Sequence, residues 1–233
     1  MNFDLARFAA TAFVIFFAIG LHEYAHCKVA DMAGDPTPGI YGRVTLDLRK
    51  HFDPLGTIMM FITSLTGYGI GWGKPAPINP AKMGNPRWDA LAAVAAGPIS
   101  NILQAIIYAV PLRYMYASGA LNDPGPDGPP FLFLLLSTGV RINLALAFFN
   151  LIPLGPLDGH WIVGQLLPEK PRHYWYRFNR GAPGSIGIGT AILMVLIFGS
   201  QFLEHSIGFS PLWIMVGQPI TYMFRLLTGR PIG

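Results

Sequence analysis

Two histidines four residues apart, with a glutamate beside the first, occupy His22-Glu23-Tyr24-Ala25-His26 inside a stretch that otherwise reads as a membrane helix. Ionisable side chains are costly in hydrocarbon, so their presence there implies a task. On a helix, positions 22 and 26 share one face a turn apart, so both imidazoles can reach one zinc ion while Glu23 stands beside a water held by that metal. Glu23 is then the candidate general base, because the metal lowers the pKa of the water whose proton it takes. The plain alternative is a polar pair packed against other helices, with Glu23 facing a basic residue; burial in a membrane weighs against so accidental a cluster. Ala25 is small enough to let a substrate or another backbone pass the metal, and equally suits ordinary helix packing. Cys27, the single cysteine, reads as packing rather than as an extra ligand.

A second chemical segment lies far along the chain, at Asn150-Leu-Ile-Pro153-Leu-Gly155-Pro156-Leu-Asp158-Gly159. Two prolines and two glycines must unwind a helix there. Irregular backbone at membrane depth is tolerated where it is buried in protein or lines a wet cavity, so this segment is a candidate site on physical grounds. Asp158 before Gly159 is an ordinary turn pair when taken alone. Set beside His22 and His26, it is better read as a third zinc ligand, since two histidines leave the metal short of protein donors. Asn150 can polarise a scissile carbonyl or stabilise its oxyanion, or it can cap the helix end. His160 is either a contact behind the ligands or incidental.

These residues must be carried by membrane helices. Of 233 residues, 52% are hydrophobic and 12% charged, and the mean hydropathy is +0.42, too apolar for an ordinary soluble domain. We expect an all-α polytopic helix bundle forming a single domain over residues 1–233, with a short strand or hairpin and a re-entrant segment. Spans are expected at about 8–30, 88–112, 131–152 and 186–203, with 54–72 re-entering or spanning and 211–227 spanning or lying at the interface. The alternation of Gly42-Arg-Val-Thr-Leu-Asp-Leu48 suggests the strand. Residues 54–72 are interrupted by Gly56, Gly67, Gly69 and Gly71, Gly97-Pro98 marks a kink or close-packing point in the 88–112 helix, and residues 118–130 form a loop with Asp123 and Asp127. The first apolar run is expected to be retained rather than cleaved as a signal peptide, since Asp4 balances Arg7 and the histidine motif occupies the cleavage region. One cysteine excludes an intramolecular disulfide framework.

The formal charge is +4, with basic residues in loops between apolar segments; contact with lipid headgroups explains this better than nucleic acid binding, and no nucleic acid partner is expected. If 54–72 re-enters, the histidines and Asp158 meet at one face. Arg43, Arg49, Lys50, Lys74, Lys82, Arg87, Lys170, Arg172, Arg177 and Arg180 then share that side, which the positive-inside rule makes cytosolic.

With its motifs in this order, the chain resembles the site-2 protease family of intramembrane zinc metalloproteases. The resemblance is carried by the motif at 22–26, by Ala96-Gly97-Pro98-Ile99-Ser100-Asn101, and by Asn150, Pro153 and Leu157-Asp158-Gly159. It covers roughly residues 8–165. The stretch Lys74-Pro75-Ala76-Pro77-Ile78-Asn79-Pro80 is similar to a compact prokaryotic branch that lacks PDZ and CBS modules. The resemblance implies one Zn2+ per chain held by His22, His26 and Asp158, with Glu23 and Asn150 as catalytic residues. It also implies a membrane protein substrate with a transmembrane segment and a multi-pass location in a prokaryotic cell membrane, with a regulatory partner unspecified. Two rivals use the same residues: a catalytically silent metal-binding or scaffold protein, and an ion or proton pathway. Glu23 argues against the first, since storage needs ligands but no base. The second needs a polar chain across both faces.

Overall fold

A computed structural model describes residues 4–66, 72–119, 129–180 and 186–231. Gly67, Gly69 and Gly71, and the loop carrying Asp123 and Asp127, lie outside them. Helix α1 (Leu5–Met32) is started by Asp4, whose carboxylate accepts the Arg7 amide, and stops where Gly34 takes a left-handed φ of 97°. A short turn of helix, α2 (Thr37–Ile40), follows, then α3 (Pro54–Thr66). Helix α4 (Trp88–Ala117) begins with a reciprocal cap in which Asn85 accepts the Trp88 amide and Asp89 accepts the Asn85 amide. Helix α5 (Phe131–Asn150) ends in turns over 151–157, after which come α6 (Asp158–Leu166), α7 (Glu169–Arg180), α8 (Ile188–Ile207) and α9 (Gln218–Thr228).

Helices α1, α4, α5 and α8 are each long and apolar enough to cross a membrane. They present Ile107, Val110, Val195 and Phe202 outward, as lipid requires. The chain is a multi-pass membrane protein. Its core is the mutual packing of α1, α4 and α5, with α9 against α4 and α5. Small residues let these backbones approach: the ring of Tyr108 lies directly over Gly139, where a β-carbon would come within 2.4 Å of it. Leu112, Leu136, Val140, Leu144 and Phe224 fill the layer beyond.

Between α1 and α4 the chain makes an excursion that leaves from and returns to the same end of α1. The Gly84 amide donates to the Ala33 carbonyl, and Asp35 accepts amides from both Thr37 and Asn79. Burial opposes charge on Asp35, but these donors outweigh it and hold its carboxyl below the usual aspartate range. In between, Leu48 packs on Gly20 and the Phe52 ring stacks on Phe16 at 5.2 Å. From Met32 back to Phe16 is 16 residues, or about 24 Å along the helix.

The strand suggested at 42–48 does not form. Gly42 turns with φ 64°, Thr45 accepts the Asp47 amide in a local turn, and Leu48–His51 is a 3-10 turn. Arg43 is drawn inward instead, donating to the Lys74 and Pro75 carbonyls. The alternation therefore reflects one buried cation and one leucine seated on Gly20, not two faces of a sheet. Among the described residues the sheet-like pairing is a single antiparallel bridge, Phe52 to Gly73.

Candidate metal centre

The core helices and the turn before α6 bring His22, His26 and Asp158 together. The two Nε2 atoms are 3.0 Å apart, and Asp158 Oδ2 lies 3.3 Å from His22 Nε2 and 3.4 Å from His26 Nε2. Both histidines are buried. Their orientation comes from α4. His22 Nδ1 meets Asn101 Oδ1 at 2.6 Å, and His26 Nδ1 meets the Ala93 carbonyl at 2.8 Å. An oxygen that can only accept, placed at each Nδ1, requires that nitrogen to carry the proton, so both Nε2 lone pairs point at Asp158.

This donor set fits a metal ion. Three electron-rich atoms within 3.4 Å of one another, with Asp158 Oδ2 buried and lacking a hydrogen-bond donor, repel unless a cation lies between them. Ligands about 2.0–2.1 Å from a tetrahedral zinc are about 3.3 Å from each other, close to the spacings here. Two imidazoles and one carboxylate leave a coordination position open, as hydrolytic zinc sites do. Among the described residues Cys27 is not part of this cluster.

Glu23 and Asn150 line the same cavity as the three candidate ligands, a space of about 560 Å³. Its walls are otherwise mostly apolar, with Trp72, Phe149, Trp161 and Ile197 among them. Glu23 Oε2 is buried without a hydrogen-bond partner, as a base awaiting a proton donor would be. Gly73 crosses directly over this side chain, where a β-carbon would come within 3.2 Å of Oε1. Asn150 ends α5, and its amide nitrogen donates to the Leu146 carbonyl, which leaves the second N–H for other use. His160 is buried behind the centre against Trp161 and Tyr176, its Nδ1 on the Leu157 carbonyl. It is absent from the cavity wall and from the ligand cluster.

Several contributors carry no motif of their own. Asn179 on α7, almost fully buried, accepts the Gly155 amide and so fixes the irregular turns that deliver Asp158. The Ala93 carbonyl is invisible in any sequence pattern. Gly97 was readable as a close-packing point, and the contact it allows is with the histidines: a β-carbon there would lie 2.3 Å from His26 Nε2 and 2.7 Å from His22 Cε1. Gly97→Ala should therefore push both rings aside and weaken zinc binding about tenfold or more. Alanine is the better helix former by about 1 kcal/mol, so a loss of zinc affinity would not stem from weakened α4. Competition with a chromogenic chelator reads the change, and an unchanged affinity would show that the rings lie elsewhere.

The chain is similar to proteins named for this chemistry. It is 38% identical over 156 residues, 65% of its own length, to "Putative zinc metalloprotease YwhC" of Bacillus subtilis (strain 168). It is 29% identical over 160 residues to "Putative zinc metalloprotease Rip2" of Mycobacterium tuberculosis, in both the Erdman and H37Rv strains. The match spans 66% of the Bacillus protein and 55% of the mycobacterial one. No family model matches the chain, and no solved structure does.

Proposed function

Because this chain belongs to the site-2 protease family, we propose that it is an intramembrane zinc endopeptidase, cutting peptide bonds in or near the membrane-spanning segments of other membrane proteins. The observation that carries this reading is the convergence of His22, His26 and Asp158 beside an unpaired Glu23, in an apolar cavity between membrane-crossing helices.

When bound by these three side chains, zinc would acidify a water and draw electron density from the scissile carbonyl. Glu23 accepts the proton that the attacking water loses as the new C–O bond forms. It then returns that proton to the leaving nitrogen as the C–N bond breaks, giving a carboxylic acid and an amine, and the acid passes its remaining proton to the amine to leave a carboxylate and an ammonium. The free N–H of Asn150 is placed to donate to the oxygen that gains charge. Trp72, Phe149 and Trp161 hold an apolar, locally unwound substrate and keep bulk water from the reaction.

We also propose that the segment 54–72, within the excursion that links α1 to α4, re-enters the membrane and that the centre opens toward the cytosol. The two feet of the excursion, joined at Ala33 to Gly84 and Asp35 to Asn79, support this. A cysteine at the exposed Lys82 should react with a membrane-impermeant thiol reagent in inside-out vesicles and not in intact cells. Labelling from outside would reverse the orientation.

Reconstitution in vesicles with a panel of single-span membrane proteins, each carrying glycine or proline in its span, tests the activity. Fragments should end in or close to the span, vanish with a zinc chelator and return with added zinc. Cleavage indifferent to chelation would contradict the reading. A zinc-loaded chain that cuts no member of the panel would favour the silent metal-binding alternative.

A further inference from the structure

The three core helices are tied together by one thread of side-chain amides that ends on a candidate zinc ligand. His22 of α1 donates from Nδ1 to Asn101 Oδ1 of α4 at 2.6 Å. Asn101 Nδ2 donates to the Ala18 carbonyl at 3.1 Å and to Asn143 Oδ1 of α5 at 2.9 Å. Asn143 Nδ2 donates to the Gly139 carbonyl of its own helix at 2.9 Å. Both asparagines are completely buried.

The order of these bonds has a direction. The Gly139 carbonyl takes the Asn143 nitrogen, so only the Asn143 oxygen can face Asn101. Two acceptors, Asn143 Oδ1 and Ala18 O, then claim the Asn101 nitrogen, so only the Asn101 oxygen can face His22. An amide turned the other way would set two acceptor oxygens against Oδ1 and two donors against an Nδ1 that would have to be bare. Its ring would then carry the proton on Nε2, where the metal must bind.

We propose that Asn101 is the positioning residue for His22, and that Asn143 fixes the direction of the Asn101 amide, so that the Nε2 lone pair is presented to zinc before the ion arrives. This inference rests on the zinc reading above. Polar contacts between membrane helices also serve simply as glue, and the two roles predict opposite rankings of variants. Asn101→Asp keeps an acceptor for Nδ1–H but sets a carboxylate against Ala18 O and Asn143 Oδ1. Asn101→Leu removes the acceptor but buries nothing unpaired on α4. Glue alone makes aspartate the worse variant in every respect. Positioning makes leucine the worse one for zinc.

The test uses the full chain in detergent, measuring zinc affinity by chelator competition and thermal stability of the zinc-free protein. Asn101→Leu should weaken zinc about 10–100-fold, the range for groups that orient a metal ligand. Asn101→Asp should bind zinc more tightly than Asn101→Leu while melting at a lower temperature, and Asn143→Leu should lose less affinity than Asn101→Leu. Gln104→Leu serves as the control: it is another buried amide of α4, and no bond joins it to either histidine, so its zinc affinity should match the parent. If Asn101→Leu binds zinc as the parent does, or if Gln104→Leu loses as much, the proposal is wrong. Should Asn101→Asp not fold, the comparison of Asn101→Leu with Gln104→Leu decides alone. A parent chain that binds no zinc would sink the metal reading itself, whereas a parent that binds it and an Asn101→Leu variant that binds it equally would sink only the positioning role.

Discussion

Glu23→Gln should lower the rate of peptide hydrolysis by about 10²–10⁴, the contribution of a positioned general base, while leaving about one zinc per chain. Glutamine keeps the size of the side chain and its place under Gly73 but cannot take a proton. Glu23 is not in the ligand cluster, so metal content should not follow activity down. Cleavage of the single-span panel measures the first quantity and elemental analysis of the same preparation the second. Loss of zinc together with activity would make Glu23 a ligand or a structural support, and undiminished cleavage would remove it from the mechanism.

Asp158→Ala should weaken zinc binding by more than about 100-fold, exceeding the 10–100-fold typical of groups that only orient a ligand. Asp158 supplies the one anionic donor, and its side chain reaches the two histidines from a part of the chain more than a hundred residues away. Its removal also relieves the crowding of three electron-rich atoms, so the zinc-free variant should be at least as stable as the zinc-free parent. Chelator competition and thermal melting with and without zinc separate these effects. The parent should gain about 4 kcal/mol of stability at a free zinc concentration 1,000 times its Kd, and the variant much less at the same zinc. Equal affinity in the two proteins would return Asp158 to the role of a turn residue before Gly159.

Much of the centre was legible because its chemistry depends on short-range spacing. A four-residue interval puts His22 and His26 on one helix face regardless of the rest of the fold, and prolines 153 and 156 force the break that Asp158 follows. The apolar runs were equally plain, since lipid leaves little choice of composition. Residues 42–48 misled because Val44, Leu46 and Leu48 alternate for separate tertiary reasons: Leu46 is exposed, Leu48 is seated on Gly20, and Arg43 just before them is buried against carbonyls some 30 residues away. Arg43 reads locally as one of many loop charges, and nothing near it in the chain marks it as an inward one.

Asn101 and Asn143 were harder still. Asn101 was visible only as part of a family-like segment, and its partner His22 lies 79 residues away on another helix. Asn143, an amide in the middle of an apolar span, carried a usable signal: a polar side chain at membrane depth needs a partner. Which partner it finds, and which way its amide faces, depends on three helices packing at once. The role of the Ala93 carbonyl has no side chain to announce it.

X-ray absorption at the zinc edge of the purified, unsubstituted chain tests the central claim most directly, because it reads the ligands without a substrate. Two imidazole nitrogens with oxygen donors at about 2.0–2.2 Å, and no sulfur at about 2.3 Å, is the expected first shell. A sulfur shell would place Cys27 on the metal, and a folded chain that retains no zinc would contradict the assembly of His22, His26 and Asp158 into one hydrolytic centre.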